Sequence, residues 1–470
     1  MNCMITHYNN YRNNNNFYNY FYNLKTFKAL NLNIYMNEIS IVVCGPVDAG
    51  KSSLVGVLTT GELDDGRGKA RKNVFNHSHE QTSGRTSCIS QNIIKYIAKD
   101  GYMELLSTKI NRKYDPKIVK RIDMNYQHNY MMDIDKVVSL IDLAGHEKYL
   151  KTTIFGITGM FPDKGIVVIG ANTGITKLTR EHIGIMLYTN IPFMIIITKI
   201  DMAPDGIYDD LKKSIKKLFQ KNAPHLTPIY IENDMDAYNY TNSDSIIPII
   251  SVSNKSGHMI DNLHRIIYNI PQRNKFVNQK ENGTVIYLDS HFSVTGTGLV
   301  VSGTVKDGII KVRQKMFMGP FNGTMVPITI RSIHNNMRED VGMIGPNVQG
   351  CFAIRFLDTI IPRNMIRKGM VIIDNMENWK DNIVTSFVAN VKILHHSSAL
   401  KKGYRPIIHC GPIKQVAELS FLNDDMTSMK TGDSELVRFT FVKHPELIEE
   451  KMILFFRDGT TKGVGEVVSV

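Results

Sequence analysis

Hydrophobic positions change rhythm twice along the chain. Residues 1–37 repeat at neither two nor 3.6 residues and are dominated by Asn and Tyr (YNNYRNNNNFYNYFYN), a composition that favours neither helix nor strand. From Glu38 onward short apolar runs appear: ISIVVCG (39–45), VVSLID (137–142), GIVVIGA (165–171), PFMIIITK (192–199) and IIPIISVS (246–253). Between them lie segments of helical spacing, KSSLVGVLTT, REHIGIMLYTN (180–190) and DDLKKSIKKLF (209–219). Buried strands alternating with amphipathic helices predict a mainly parallel α/β sheet with helices on both faces. In the last helix Leu211, Ile215, Leu218 and Phe219 share one face, and the lysines at 212, 213, 216, 217 and 221 fall elsewhere, as on a solvated surface.

Beyond about residue 275 the helical period stops. TVIYLDSHFSVTGTGLVVSGTVKDGIIKV, GCFAIRFL, VTSFVANVKIL and SELVRFTFV are β-rich segments punctuated by glycine, which predicts two small β-barrels. The polar stretch NMENWKDN (375–382) is the expected boundary between them. The predicted organisation is a disordered tail at 1–37, an α/β domain at 38–275, a first barrel at 276–382 and a second at 383–470.

Composition narrows the class. A hydrophobic content of 43% excludes disorder over the whole chain, and no apolar run approaches the roughly eighteen residues of a membrane-spanning helix. Five cysteines lie far apart without a CxxC pair, so the chain reads as neither a disulfide scaffold nor a zinc ribbon. A net charge of +12 permits an anionic partner without choosing between nucleic acid and membrane surface. The tail carries Arg12, Lys25 and Lys28 and no acid before Glu38, yet its single arginine and lack of serine argue against a transit peptide. It reads as a disordered tail or as an extension upstream of a start at Met36.

The chemistry begins directly after the first strand. Gly45-Pro46-Val47-Asp48-Ala49-Gly50-Lys51-Ser52 is a GxxxxGK[ST] sequence in strand–loop–helix context. Its glycines let backbone N–H groups turn inward around phosphate oxygens, and the following helix adds its positive end. Lys51 would neutralise the β- and γ-phosphates, and the Ser52 hydroxyl would ligate Mg²⁺. Thr198-Lys199-Ile200-Asp201, closing another buried strand, selects the base. An Asp carboxylate there accepts from guanine N1–H and the 2-amino group, whereas adenine would face it acceptor to acceptor. An unpaired buried charge of that kind discriminates by about 10⁴ or more. Asp142-Leu143-Ala144-Gly145 ends a third strand, with Asp142 directed at Mg²⁺ and the Gly145 N–H at the γ-phosphate. Thr86, in Glu80-Gln81-Thr82-Ser83-Gly84-Arg85-Thr86-Ser87, would close on Mg²⁺ only when the γ-phosphate is present. Ser253-Asn254-Lys255 would read guanine O6 through backbone N–H groups.

With these five elements in order, the chain resembles the translational GTPases of elongation factor Tu and elongation factor 1-alpha type, nearest the GTP-binding protein 1 and 2 branch. VDAGKSSLVGVLTTGELDDGRGKAR, FNHSHEQTSGRTS, LIDLAGHEKYLKTTIFGITG, ITKIDMAP, HFSVTGTGLVVSGTVKDGIIKV and YRPIIHCGPIKQVAEL carry the resemblance, which covers about residues 38–470. It implies a P-loop GTPase domain followed by two barrels. It also implies a GTP/GDP site that includes Ser53 and Met202, and a cytoplasmic, membrane-free, monomeric factor partnered by the ribosome and by aminoacyl-tRNA. His146 stands where the family keeps a histidine that positions the attacking water. No arginine is placed by motif to stabilise transition-state charge in cis, so slow hydrolysis accelerated by the ribosome is expected.

Several features depart from the pattern. Pro46 and Ser53 replace commoner residues, and Thr198 replaces Asn, which predicts a weaker side-chain link to the phosphate loop. A long insertion at roughly 100–133, basic around 109–121, reads as a mobile loop in preference to an rRNA contact. His77 and His79 lack a third ligand at suitable spacing for a metal. Gly296-Thr297-Gly298 reads as a barrel turn, and Cys44 as a small core residue. The rival readings are a regulatory module holding GTP as a structural ligand and the GTPase subunit of sulfate activation; the second fits SGRTS and GHEKYLKTT poorly.

Overall fold

The computed structural model describes residues 37–470 except 76, 85, 100, 108–116, 125–134, 205, 274–282, 358–360, 424 and 459–460. The tail expected at 1–37 therefore lies outside the described residues apart from Asn37. The first domain is built on nine strands: β1 (Asn37–Cys44), β2 (Ser90–Lys99), β3 (Tyr102–Ser107), β4 (Lys117–Asp123), β5 (Lys136–Asp142), β6 (Lys164–Gly170), β7 (Phe193–Thr198), β8 (Thr227–Ile231) and β9 (Ile246–Ser251). They lie in the order β4-β3-β2-β5-β1-β6-β7-β9-β8. From β5 to β8 the pairings are parallel, and β2, β3 and β4 join antiparallel at one side.

Helices α1 (Lys51–Thr60), α2 (Lys69–Lys72), α3 (Ser78–Ser83), α4 (Leu150–Thr158), α5 (Lys177–Tyr188), α6 (Ile207–Asn222), α7 (Asp234–Asn239) and α8 (Ile260–Tyr268) complete the domain. Strand alternation divides the core. Ile39, Ile41 and Val43 of β1 face Leu54, Leu58, Leu263 and Ile266, whereas Val42 and Cys44 face Leu150, Ile154, Ile183 and Ile215. The predicted face of α6 is the one that packs, through Leu211, Ile215 and Phe219. Among its lysines, Lys212 lies between the rings of Tyr208 and Tyr230, and Lys213, Lys216, Lys217 and Lys221 are exposed.

The insertion departs from expectation. Its described residues are not loop: β3 and β4 form an antiparallel extension of the sheet, with Met103, Leu105 and Ile122 buried. Burial alternates along β3, with Met103, Leu105 and Ser107 inward, although apolar residues stand side by side in its sequence, so no period-2 pattern marks the strand.

Two barrels follow. In the first, Lys315–Phe321, Val371–Ile373, Val285–Val294, Gly298–Asp307, Gln349–Phe356 and Thr324–His334 pair in sequence, and the last pairs with the first to close it. The second closes through Ser386–His395, Ser434–Phe441, Ile413–Phe421, Ile407–Cys410, Ile453–Asp458 and Thr461–Ser469. Trp379, from the polar stretch between them, is fully buried and packs with Tyr287 and Leu447. Arg367 clamps Glu446 of the second barrel with two bonds of 2.7 and 2.8 Å. The second barrel also reaches the first domain, where Arg457 meets Glu147 at 2.9 Å.

Candidate functional site

All the motif residues converge at the carboxyl ends of the parallel strands, where an open α/β sheet offers backbone and helix termini to a ligand. β1 ends at Cys44, and residues 45–50 turn back to start α1. Gly45 has φ +147°, and a Cβ there would lie 2.4 Å from the Val168 carbonyl oxygen, so the loop passes directly beneath β6. Gly50 sits in the left-handed region and accepts the first helical bond from Leu54 at 2.8 Å. Lys51 is buried beneath the loop, and its Nζ donates to the Pro46 carbonyl at 2.7 Å. Burial lowers the Lys51 pKa, and the nearby Asp142 carboxylate opposes that effect. A Cβ at Gly145 would come within 2.2 Å of Lys51 Nζ, so only glycine leaves the ammonium its place.

The three residues expected around a metal meet in one cluster. Ser52 Oγ donates to Asp142 Oδ2 at 2.7 Å, Thr86 Oγ1 donates to the same oxygen at 3.1 Å, and the two hydroxyls lie 2.7 Å apart. Asp142 is fully buried and its Oδ1 has no hydrogen-bond partner. Burial raises its pKa against the pull of Lys51 and the two hydroxyls. A buried carboxylate oxygen with no partner, beside two hydroxyls, is a hard oxygen set suited to a small divalent cation.

Thr86 is held there by a residue without a motif role. The buried Glu80 carboxylate accepts from Ser87 N–H at 2.7 Å, Ser87 Oγ at 2.9 Å, Cys88 N–H at 3.2 Å and, through its other oxygen, His77 N–H at 3.2 Å. Burial works against its charge, but the bonds from Ser87 and Cys88 overcome this and hold the carboxyl at about 2. One anion thus gathers both sides of the loop that carries Thr86. The His77 and His79 rings stack with centroids 5.3 Å apart, and His79 Nε2 lies 2.8 Å from Ser87 Oγ.

On the base side, Thr198 Oγ1 donates to the Ala49 carbonyl at 2.6 Å. The link expected to be weakened is therefore made, and Asn254 Nδ2 adds a longer one to the Gly50 carbonyl at 3.4 Å. Lys199 adopts φ 60°, turning the chain into the Ile200–Met202 turn, where Asp201 and Met202 are exposed. Ser253 is buried, and its Oγ accepts from the N–H groups of Lys255 at 3.3 Å and Ser256 at 3.1 Å. Phosphate-loop and base elements are thus bonded to each other.

The phosphate end opens into a cavity of about 430 Å³ that includes Val47, Asp48, Ser53, Gly145 and His146. His146 is exposed, with Nδ1 accepting from the Lys148 N–H at 3.1 Å and its ring edge-on to Tyr149. Sequence reasoning assigned no role to six further lining residues, Arg71, His79, Gly84, Ser87, Lys148 and Tyr149. Lys148 and Tyr149 adjoin a recognised motif, but Arg71 arrives through tertiary packing.

A GxxxxGK[ST] loop, a buried carboxylate–hydroxyl cluster and the Thr198–Asp201 turn lie on one sheet followed by two barrels, the architecture of GTP-binding translation factors. The elongation factor Tu GTP binding domain matches residues 36–273. The chain is 35% identical over 438 residues to GTP-binding protein 1 of Xenopus laevis, covering 92% of this chain and 63% of that protein. It is 32% identical over 441 residues to GTP-binding protein 2 of Homo sapiens, covering 92% and 69%. A crystal structure of a bacterial selenocysteine-specific elongation factor superposes with a TM-score of 0.62 at 19% identity, over 92% of this chain and 58% of that one, and shares its fold. The chain belongs to the translational GTPase superfamily.

Proposed function

We propose that the chain binds GTP with Mg²⁺ and hydrolyses it to GDP and phosphate in a cycle stimulated by the ribosome or its RNA, in translation elongation or ribosome surveillance. The observation that supports it best is His146, which is exposed and lines the cavity that also presents Lys51, Ser52, Thr86 and Gly145. An exposed water-positioning group at the cavity wall, with one ring nitrogen taken by the Lys148 N–H, is one that a partner could order, which suits activation in trans.

Ser52, Thr86 and Asp142 would hold Mg²⁺, which neutralises charge on the β- and γ-phosphates when bound. Lys51 and the loop N–H groups hold the phosphates, and His146 orients the attacking water. Gly45, Val47, Asp48, Ala49, Gly50 and Ser53 form the cradle with Gly145. Thr198, Lys199, Asp201, Met202, Ser253, Asn254 and Lys255 take the base.

Contact with RNA is supported by a trough of about 740 Å³ where the three domains meet, lined by Lys368, Lys414 and Lys443 beside the Arg367–Glu446 pair. Burial lowers the Lys414 pKa, and neighbouring Lys151 and Lys368 lower it further. Crowded cations of this kind favour a polyanion, and aminoacyl-tRNA is the corresponding cargo. Since the chain spans 63% of GTP-binding protein 1, the activity of the whole relative is part of this proposal, as are a cytoplasmic setting and a monomeric state.

GTP hydrolysis by the full chain, with and without ribosomes, tests the reading. Ribosomes should accelerate wild type, and His146→Ala should abolish that acceleration while retaining GTP binding. No stimulation and no effect of the substitution would instead favour GTP as a structural ligand.

A further inference from the structure

Arg71 reaches the phosphate cavity through a segment built to hold it. Gly61 ends α1 in the left-handed region, and the chain then returns along the domain. The Asp64 N–H donates to the Asn254 carbonyl at 2.9 Å, tying the segment to the base-side element. Asp64 Oδ1 accepts from Ala70 N–H at 2.9 Å, and Asp65 Oδ1 accepts from Arg67 N–H at 2.8 Å and Lys69 N–H at 3.1 Å. These bonds fix the start of α2. Gly56 lets α2 lie directly on α1, since a Cβ there would come within 2.3 Å of the Ala70 carbonyl oxygen.

The Arg71 side chain then lies half-buried in the cavity that also presents Lys51, Ser52, Thr86, Gly145 and His146. Two glycines make room for it. A Cβ at Gly68 would come within 2.3 Å of Arg71 Nε, and one at Gly84 within 2.9 Å of Nη2. Gly84 stands two residues before Thr86 in the loop that Glu80 gathers. Among the described residues no carboxylate forms an ion pair with Arg71. A half-buried guanidinium without a carboxylate partner, in the cavity that presents Lys51 and His146, is suited to phosphate oxygens, which its planar fork can engage with two bonds.

We propose that Arg71 is a catalytic residue that stabilises transition-state charge in cis. This inference deepens, and rests on, the GTPase reading above. In the step, the bond from water oxygen to γ-phosphorus forms as the bond to the β–γ bridging oxygen breaks. The electron pair stays on GDP, and the water protons pass to the phosphate product and solvent. Arg71 meets the charge that builds on the γ- and bridging oxygens. Charge stabilisation is then internal, and what the external partner supplies is the orientation of His146.

The test uses the full chain with Arg71→Ala and Arg71→Lys, the second preserving length and charge. Single-turnover hydrolysis without ribosomes should fall about 20-fold or more in Arg71→Ala, and Arg71→Lys should recover little, lacking the fork. GDP affinity should stay within about twofold, whereas stabilisation of bound GDP by aluminium fluoride, a planar γ-phosphate mimic, should disappear. With ribosomes the Arg71→Ala rate should drop by the same factor at an unchanged stimulation ratio, in contrast to His146→Ala, which loses the ratio. Hydrolysis within about twofold of wild type, or a parallel loss of GDP and GTP affinity in both variants, would overturn the assignment. Absence of wild-type hydrolysis under every condition would instead sink the underlying GTPase reading.

Discussion

The two ends of the nine-stranded sheet treat buried charge in opposite ways. At the amino ends of β5 and β6, Lys136 and Lys164 are about 1% exposed. The chain itself supplies their partners. Lys136 Nζ donates to the Tyr268 carbonyl at 2.6 Å and to that of Ile270, and Lys164 Nζ donates to Asn242. At the carboxyl ends Lys51 and Asp142 are also buried, yet Asp142 Oδ1 has no partner. One end closes its polar groups among themselves and is structure. The other leaves them open, at a cost in stability, for something that is not protein.

The largest expected break in this contrast is Asp142→Asn. Removing the carboxylate should lower Mg²⁺-dependent GTP hydrolysis by about 10²-fold or more, measured at saturating nucleotide. The same change relieves a buried anion with an unused oxygen, so the nucleotide-free protein should melt higher than wild type. A lower melting temperature together with retained hydrolysis would mean that Asp142 belongs with the closed end of the sheet.

A finer test lies in the loop that brings Thr86 to Asp142. Glu80→Gln keeps shape but removes the charge behind the bonds from Ser87 and Cys88, and its NH2 cannot accept where a carboxylate oxygen did. Affinity for a non-hydrolysable GTP analogue should fall about tenfold, and GDP affinity should hardly change, because only the triphosphate needs Thr86 in place. Equal loss for both nucleotides, by equilibrium fluorescence titration, would reduce Glu80 to a general stabiliser.

How much of this was legible in the sequence follows the same division. Phosphate-loop residues and the Thr198–Asp201 turn announce themselves because local backbone geometry and ligand chemistry dictate residue type at fixed spacing. Strand and barrel periodicity likewise survive in the apolar runs. Glu80 and Arg71 do not, since their roles come from contacts made only after folding: Glu80 binds residues seven and eight positions ahead, and Arg71 is placed by Gly56 meeting Ala70. The form of the Thr198 link shows only in the fold, where its single hydroxyl reaches the Ala49 carbonyl. The two strands of the insertion are illegible because apolar residues stand adjacent in both (Leu105-Leu106, Ile118-Val119), which leaves no period of two.

The smallest effect belongs to the closed end. Burial pushes the Lys136 ammonium down to about 7, and Asp163 opposes that shift only in part. Between about pH 7 and 10.5 the folded chain has released a proton that the unfolded chain still holds. The unfolded state therefore binds more protons in this window, and stability from this group rises with pH across it, reaching its full value above the unfolded pKa. Thermal unfolding followed from pH 7 to 10 should show that rise in wild type, and Lys136→Met, which has no proton to lose, should flatten it. Nucleotide affinity should be unaffected, because the oxygens that Lys136 meets are carbonyls of α8 and the segment after it, far along β5 from Asp142. A pH slope identical in the two proteins would show that the ammonium keeps its proton throughout, held by the Tyr268 and Ile270 carbonyls strongly enough to offset its burial.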